Sequence, residues 1–309
     1  MDELLIGLAT LLSFLFGWNN SSFLIGNLRG SGSLPFVAAV LTSVIGLLVG
    51  TLLEGSKMAA TLGGSLAPTT TSPIMLATLI VSVALTLGLT LVDLPVSFSM
   101  IMVSAFLGAT FYSTIPVNAA RSETVVAFWF VAPAATALLT SLVYTSFGRF
   151  ASRFGMLTVD SLNRAGALVS GLAVSYTLGA NNIGMIYGST LAGVPVSFDV
   201  MLLLVIAATA GVVTFGRSAL GGSIGDRMLN LSPQGVFSAF VSSSVIVWLG
   251  TQFALPVSIS QCLLGGMLGA AYSRVFSAVN RRLVGETLSL WLVAPLAAFG
   301  LSYVLAIFL

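Results

Sequence analysis

A series of short motifs occurs twice in this chain, in the same order and roughly 162 residues apart. The two copies are Gly-x-Asn-Asn at 17–20 and 179–182, Leu-Pro-Val-Ser-x-Ser at 94–99 and 255–260, Leu-Gly-Ala at 107–109 and 268–270, and Trp-x-Val-Ala-Pro at 129–133 and 291–295. Four matches in one order at a nearly constant offset indicate an internal repeat rather than coincidence. The sequence therefore predicts two repeats, 1–155 and 156–309.

The composition predicts an integral membrane protein. Of 309 residues, 57% are hydrophobic and only 6% are charged. A soluble domain usually carries about a quarter charged residues, so these charges cannot cover a water-exposed surface. Several apolar runs approach the roughly 20 residues that a helix needs to cross a bilayer core of ~30 Å. They are 35–53, 74–92, 125–147, 196–215, 236–254 and 288–309.

Shorter apolar runs complete the predicted set of membrane segments. The runs 96–111 and 257–273 are interpreted as tilted spans or as re-entrant segments, and the sequence leaves this choice open. The runs 4–16 and 165–178 reach spanning length only if they continue to residues 26 and 190. The prediction is an all-α polytopic fold of about ten segments, five in each repeat, with broken helices.

An odd number of segments in each repeat makes the second repeat enter the membrane from the opposite side. If the segments alternate, Lys57 and Arg121 lie on one side and the other basic residues lie on the opposite side. That larger group is Arg29, Arg149, Arg153, Arg164, Arg217, Arg227, Arg274, Arg281 and Arg282. Because basic residues are enriched in cytoplasmic loops, we expect a multi-pass protein of the cell membrane with both termini outside the cytoplasm.

The residue inventory excludes several classes of function. The chain has no His and a single Cys, Cys262, so zinc sites built from Cys and His, Ser–His pairs and intrachain disulfides are excluded. A Ser–Lys hydrolase is disfavoured because Lys57, the only lysine, lies in a loop outside the predicted segments. The scattered basic residues do not form the patch that nucleic acids need. We expect no enzyme activity, cofactor, metal or nucleic-acid partner.

Gly-x-Asn-Asn interrupts the first segment of each repeat. Inverted repeats with interrupted helices at corresponding places are typical of secondary transporters, and the interruptions indicate the binding site. Freed backbone groups must line a cavity or be buried in protein, and an Asn amide offers both a carbonyl oxygen and NH donors. We expect helix breaks at Asn19, Asn20, Asn181 and Asn182, which are candidate cation or coupling residues. Alternatively, they only hold neighbouring helices together by hydrogen bonds.

Pro-Val-Ser-x-Ser opens a segment in each repeat. A Pro in the first helical turn leaves the following N–H groups free, and the helix dipole favours an anion there. Ser97, Ser99, Ser258 and Ser260 add donors without charge, so they are the candidate anion-binding residues. The alternative is an ordinary Ser cap at a helix start. The string 195–198 copies 95–98 at a different place in the repeat and is interpreted as a plain helix start.

These motifs resemble the duplicated signatures of the inorganic phosphate transporter (PiT) family, Gly-x-Asn-Asp-x-Ala-Asn and Pro-Val-Ser-Thr-Thr-His. The chain has Gly-Trp-Asn-Asn-Ser-Ser-Phe at 17–23, Gly-Ala-Asn-Asn-Ile-Gly-Met at 179–185, Pro-Val-Ser-Phe-Ser-Met at 95–100 and Pro-Val-Ser-Ile-Ser-Gln at 256–261. Gly216-Arg217 and the stretch 231–237 also resemble the second half of that family. The resemblance covers nearly the whole chain in order.

The chain departs from the family pattern at polar positions. The motif Asp is Asn in both halves, at 20 and 182, and the motif His is Met100 or Gln261. The resemblance implies cation-coupled phosphate uptake, with the Asn/Asp motif near the cation and the Ser/Thr motif near the anion. The implied anion site is better preserved in this chain than the implied cation site, because the acidic ligands of the cation are absent.

The residues and the resemblance together predict a secondary transporter of a small inorganic oxyanion, with phosphate first. Sulfate is an alternative substrate, and a passive anion facilitator or channel is an alternative mechanism. The sequence leaves open whether a proton or sodium is the coupling ion and whether the protein forms a homodimer. Because two Asn replace two Asp, we expect weak or absent sodium dependence.

Overall fold

The computed structural model describes residues 1–92, 97–190, 197–216, 231–273 and 279–309. These parts of the chain are almost entirely helical, with one isolated β-bridge between Gly63 and Ala67. The α-helices are α1 (Asp2–Ser21), α2 (Asn27–Gly30), α3 (Phe36–Glu54), α4 (Ser56–Ala59), α5 (Ser72–Leu91), α6 (Phe98–Tyr112), α7 (Ala119–Ala151), α8 (Met156–Leu178), α9 (Gly184–Thr190), α10 (Phe198–Phe215), α11 (Pro233–Gln252), α12 (Ile259–Tyr272) and α13 (Arg281–Ala306).

Within the described ranges, seven helices are long and apolar enough to cross a membrane. They are Asp2–Gly30, which joins α1 to α2, and α3, α5, α7, α10, α11 and α13. Together with α8 and the shorter apolar helices α6 and α12, they account for the ten predicted segments. The prediction of an all-α polytopic membrane protein is confirmed. Helix α7 is longer than its apolar run, because Asn118 caps it by accepting from the backbone N–H of Arg121 at 3.1 Å.

Helices α6 and α12 begin inside the protein. They have 15 and 14 residues, so each is about 21–22 Å long, which is less than a bilayer core of ~30 Å. Every residue from Phe98 to Phe106 in α6, and from Ile259 to Met267 in α12, is buried. Their N-terminal ends therefore lie within the protein interior, where a ligand held by both could be shielded from lipid.

The packing of the helices exchanges partners between the two halves of the chain. Helix α1 packs on α10 and α8 packs on α3, so the first segment of each half contacts the second segment of the other. In the same way, α6 packs on α13 and α12 packs on α7. These contacts between halves thus occur in pairs with the roles reversed, and the halves interleave rather than forming separate bodies.

Glycines of the duplicated motifs allow these contacts. A Cβ added at Gly17 would lie 1.9 Å from the carbonyl oxygen of Ala208, and one at Gly179 would lie 2.3 Å from that of Leu47. In the Leu-Gly-Ala motifs, a Cβ added at Gly108 would lie 2.1 Å from a carbonyl oxygen of α13, and one added at Gly269 would lie 2.2 Å from a carbonyl oxygen of α7. Only glycine lets the backbones approach this closely, so these parts of the repeat serve helix packing.

Several predictions from the sequence fall on residues outside the described ranges. They are Pro95 and Val96 of the first Pro-Val-Ser motif, and the loop residues Arg217, Arg227 and Arg274. The string 195–198 is described from Ser197 onward, and its interpretation as a plain helix start is confirmed. Helix α10 begins at Phe198, and Ser197 caps it by accepting from the backbone N–H of Asp199.

Candidate functional site

The two Pro-Val-Ser-x-Ser motifs meet in the interior of the protein. Ser97, the residue before α6, donates a hydrogen bond from Oγ to Oγ of Ser258, the residue before α12, at 2.8 Å. The Oγ atoms of Ser258 and Ser260 lie 3.2 Å apart. The four predicted serines, Ser97, Ser99, Ser258 and Ser260, are all buried. The structure therefore brings residues about 160 positions apart to one place, with equivalent serines in direct contact.

The proline of the second motif lies before its helix, contrary to the expectation that it opens the first turn. Pro256 lies three residues before Ile259, the first residue of α12, and the N-cap is Ser258, whose Oγ accepts from the backbone N–H of Gln261 at 3.4 Å. The physical reason is that the backbone groups of Val257, between Pro256 and the N-cap, form hydrogen bonds with side chains outside α12. Its N–H donates to Oδ1 of Asn181 at 3.1 Å, and its carbonyl accepts from Ser99 Oγ at 2.8 Å, so this residue cannot join the helix ladder.

The first Asn of each Gly-x-Asn-Asn motif is anchored in the same way in both halves. Asn19 Nδ2 donates to Thr90 Oγ1 at 3.0 Å, and Asn181 Nδ2 donates to Thr251 Oγ1 at 3.0 Å. Asn181 also donates to the carbonyl of Leu255 at 3.0 Å. These bonds tie the Asn motifs to the helices that lead into the Pro-Val-Ser motifs, so Asn19 and Asn181 position the site.

Thr90 and Thr251 are site residues that the sequence reasoning missed. Each lies near the C-terminal end of an apolar run, where a single Thr in the sequence gives no sign of a binding site. A signal was nevertheless present, because these residues are related by the same repeat offset as the motifs themselves.

The second Asn of each motif differs between the halves. Asn182 is fully buried, and its Oδ1 accepts from Ser99 Oγ at 2.7 Å. Its Nδ2 has no hydrogen-bond partner among the described residues. Asn20, by contrast, donates from Nδ2 to the carbonyl of Phe16 in its own helix at 2.9 Å. The second half therefore presents a buried, unpaired amide donor next to the serines, and such a group needs an acceptor.

The predicted helix breaks take the form of single π-helical turns rather than gaps in the helix. One turn, Ser22–Gly26, follows Asn19 and Asn20 and leads into α2, while the other, Gly179–Ile183, contains Asn181 and Asn182. The residues flanking both turns keep right-handed helical backbone angles. A π-turn satisfies most of the backbone inside the helix, which is less costly in a buried place than a full break, and such turns often occur at functional sites.

The site is polar but uncharged. The buried polar residues of the described chain are Ser, Thr, Asn and Gln, with no Asp, Glu, Lys or Arg among them. The positive ends of the dipoles of α6 and α12 point to the serines from the two halves. Hydroxyl and amide donors at two helix N-terminal ends favour an anionic ligand, whereas a cation would find only neutral oxygens here.

Comparison with known proteins agrees with this geometry. The family model described as "Phosphate transporter family" matches residues 16–302. The "Putative phosphate permease MJ0630" of Methanocaldococcus jannaschii is 22% identical over 95% of this chain and 93% of its own length. A "Putative phosphate permease" of Chlamydia muridarum is 27% identical, but the match covers 40% of this chain and 30% of that protein.

Two further similarities concern another anion and the fold. The "Sulfate permease CysP" of Bacillus subtilis is 23% identical over 96% of this chain and 86% of its own length. The solved structure titled "The sodium-dependent phosphate transporter" superimposes with a TM-score of 0.85 at 16% identity, covering 99% of this chain and 98% of that chain. At this identity the structural likeness shows a common fold. Since the family model spans nearly the whole chain and both duplicated motifs, the protein belongs to the phosphate transporter family.

Proposed function

We propose that this protein is a secondary transporter of inorganic phosphate that holds the anion where the two Pro-Val-Ser motifs meet. The observation that carries the proposal is the contact between equivalent residues of the two halves, Ser97 and Ser258, at 2.8 Å in the buried interior. A ligand bound there would contact both halves at once. This is the arrangement that alternating access between inverted repeats requires.

The donors at this place support an anion rather than a cation. Ser99 has a single hydroxyl proton but lies within hydrogen-bond distance of two acceptors, Asn182 Oδ1 and the carbonyl of Val257. Asn182 Nδ2 has no acceptor among the described residues. A phosphate oxygen would supply the acceptor that the amide lacks, and the N-terminal ends of α6 and α12 would stabilise its charge without a buried Arg or Lys.

The halves 1–155 and 156–309 are proposed to be the two moving repeats, with both termini outside the cytoplasm. The reversed pairing of α1 with α10 and of α8 with α3 supports a two-fold relation between them. In such a relation, a rearrangement that opens one side has a counterpart that opens the other. The basic-residue asymmetry supports the orientation.

Sulfate is the second candidate substrate, favoured by the similarity to a sulfate permease over almost the full length of both chains. A neutral site suits both tetrahedral oxyanions, because neither hydroxyl nor amide donors distinguish phosphorus from sulfur. Coupling is proposed to depend on protons, or to be absent, because Asn20 and Asn182 leave no carboxylate for sodium at these positions.

The test is uptake of labelled phosphate and labelled sulfate into proteoliposomes, with and without gradients of protons and sodium. We expect saturable phosphate uptake that exceeds sulfate uptake. We also expect acceleration of influx by unlabelled phosphate inside the vesicles, because a carrier returns faster when loaded, whereas a channel shows no such acceleration. Robust sulfate flux without phosphate flux would show that sulfate, not phosphate, is the substrate. Flux without acceleration by internal phosphate would show a channel rather than a carrier.

A further inference from the structure

A cavity lies between the long helices α7 and α13, beside the first turns of α6 and α12. Its volume is about 230 Å³, and its walls come mainly from α7, α12 and α13. The two tryptophans of the duplicated Trp-x-Val-Ala-Pro motif, Trp129 and Trp291, both line it, with aliphatic side chains around them. Trp129 is fixed, because its Nε1 donates to the carbonyl of Pro256 at 3.1 Å.

The cavity contains one strongly polar side chain, Gln261, in the first turn of α12. Gln261 is 94% buried, and its Oε1 has no hydrogen-bond partner in the described parts of the chain. The equivalent position in the first half is Met100, which lines the same cavity and needs no partner. A buried carboxamide without a partner is costly, so a group that hydrogen-bonds with it would be stabilised there.

The cavity opens towards the lipid rather than towards water. Phe130, Leu288 and Leu292 line it and are 61%, 49% and 57% exposed on the apolar outer faces of α7 and α13. No Asp, Glu, Lys or Arg is found among the described residues that line it. A charged ligand is therefore disfavoured, because nothing would compensate its charge at membrane depth.

Water is a poor occupant of this space. The volume corresponds to about seven waters at ~30 Å³ each, and every buried water needs two to four polar partners. The Gln261 carboxamide and the indole N–H of Trp291, which also has no partner among the described residues, provide for a few waters at most. The rest of the cavity suits apolar groups.

From these observations we infer that the cavity is a binding site for an uncharged, mainly apolar molecule that carries a hydroxyl group and enters from the bilayer. The hydroxyl would pair with the Gln261 carboxamide, since a hydroxyl can donate to Oε1 or accept from Nε2, and the apolar body would lie between Trp129 and Trp291. The cavity is small and open on its outer side, so a longer molecule would leave its tail in the lipid. Gln261 directly follows Ser260 and its backbone N–H donates to Ser258 Oγ, so this cavity adjoins the proposed anion site.

Tryptophan quenching tests the inference directly. The protein would be reconstituted in phosphatidylcholine nanodiscs with Trp18→Phe and Trp248→Phe, so that only Trp129 and Trp291 fluoresce. Two probes are titrated: 2,2,2-tribromoethanol, whose bromines quench indole on contact, and bromoform, which lacks the hydroxyl. The complementary protein, with Trp129→Phe, Trp248→Phe and Trp291→Phe, keeps only Trp18, which stacks on Phe215 and does not line this cavity, so it reports quenching that arises from partition into the lipid.

We expect saturable quenching by tribromoethanol in the first protein and non-saturable quenching in the second. Gln261→Met, which copies the residue at the equivalent position of the first half, should weaken tribromoethanol binding about 2- to 10-fold and leave bromoform unchanged. The matched control Met100→Leu alters the same cavity without removing a polar group, and it should change neither probe.

Three results would overturn the inference. The first is non-saturable quenching of Trp129 and Trp291. The second is equal tribromoethanol affinity with and without Gln261. The third is that Met100→Leu lowers the affinity for both probes as much as Gln261→Met lowers that for tribromoethanol. If a variant fails to fold, comparing the two probes on the protein with native Gln261 still tests whether the hydroxyl group contributes to binding. In that comparison, the hydroxyl must increase affinity for the cavity beyond its effect in the complementary protein.

Discussion

Asn20 and Asn182 occupy equivalent motif positions, yet their amides differ in what they can bind. Asn20 satisfies its donor within its own helix through the carbonyl of Phe16, at 2.9 Å. Asn182 accepts from Ser99 and keeps an unpaired donor. The anion is therefore expected to lie closer to the motif of the second half. An Asp at either position would keep the acceptor oxygens, remove the NH donors and add a negative charge.

Replacing both residues, Asn20→Asp with Asn182→Asp, should create sodium dependence. Two carboxylates would repel the anion in the absence of sodium and would supply charged oxygen ligands in its presence. Phosphate uptake by this variant should fall without sodium and rise steeply as sodium is added. The measurement is initial uptake rate against sodium concentration in proteoliposomes at constant ionic strength.

The control for that variant is Asn27→Asp. Asn27 is also buried in the first segment and donates to the carbonyl of Phe23 at 2.7 Å, but it lies a turn or more beyond the motif. The Asn27→Asp variant should lower the stability of the protein without making phosphate uptake depend on sodium. Steep sodium stimulation of the unaltered protein would contradict this account, because it would show that neutral oxygens suffice for the cation.

At the scale of elements, the close contacts between short and long helices hold the two halves together. A Cβ at Gly269 in α12 would lie 2.2 Å from the carbonyl oxygen of Ala137 in α7, and the backbone cannot move away without shifting a whole helix. Gly108 in α6 stands in the same relation to Phe299 in α13, at 2.1 Å. These contacts hold α12 against α7 and α6 against α13, and so help to position the serines that precede and begin the short helices.

Gly269→Ala should therefore destabilise the protein, by about 1–3 kcal/mol, as is typical of overpacking. Its matched control is Gly300→Ala in α13, where an added Cβ would have no atom within 4 Å apart from its own helix. The control should keep or raise the melting temperature, since Ala favours helix more than Gly does. Thermal unfolding in detergent, followed by the fluorescence of a thiol-reactive dye on Cys262, compares the two. Equal melting temperatures would show that the contact is not tight.

Much of the fold could be predicted from the sequence because a bilayer limits the possible elements. The runs 35–53 and 74–92 agree with α3 and α5 within about two residues, since apolar length defines a membrane helix. The serines could be chosen because they are duplicated. The form of the helix interruption could not be predicted, because an Asn can accommodate a π-turn by bonding to its own helix, as Asn20 does. The exchange of partners between halves is a tertiary property that no local pattern contains.

At the scale of the whole molecule, the orientation in the membrane can be tested with single cysteines. In a Cys262→Ala background, Arg153→Cys should react with an impermeant thiol reagent only after the cytoplasmic side is opened, because basic loops stay in the cytoplasm. Lys57→Cys should react from outside in sealed cells. Both positions are exposed, so lack of reaction reflects sidedness. Labelling of position 153 from outside would overturn the topology.

A cluster of polar residues connects the two halves on the side of the protein that carries Lys57. Arg121 of the first half donates to the carbonyls of Phe253 and Ala254, just before the second Pro-Val-Ser motif, with 2.9 Å to Ala254. Lys57 donates to Oε1 of Gln252 at 2.7 Å in the same region. These bonds join the two halves, so a rearrangement that separates the halves on this side would have to break them.

Arg121→Ala should favour the state that is open on that side. Losing hydrogen bonds from a charged donor costs about 1.5–3 kcal/mol, so the open population should rise roughly tenfold or more. The measure is the reaction rate of Ser258→Cys with an impermeant reagent from that side, in the Cys262→Ala background. The control is Glu123→Ala, an exposed charge on the same helix end. An unchanged rate in Arg121→Ala would show that these bonds do not restrict opening.

The most direct test of the proposed site is equilibrium binding of labelled phosphate to the purified protein and to the double variant Ser99→Ala with Ser260→Ala. Each lost hydrogen bond to a charged ligand costs roughly 1.5–3 kcal/mol, so affinity should fall at least ten- to a hundred-fold. Ser238→Ala is the matched control, because Ser238 is a buried serine whose hydroxyl bonds only to the carbonyl of Gln234 in its own helix, at 2.8 Å. The account predicts a large loss of affinity in the double variant, with the control unchanged. Unchanged phosphate affinity in a folded double variant would contradict it and would reduce these serines to helix caps.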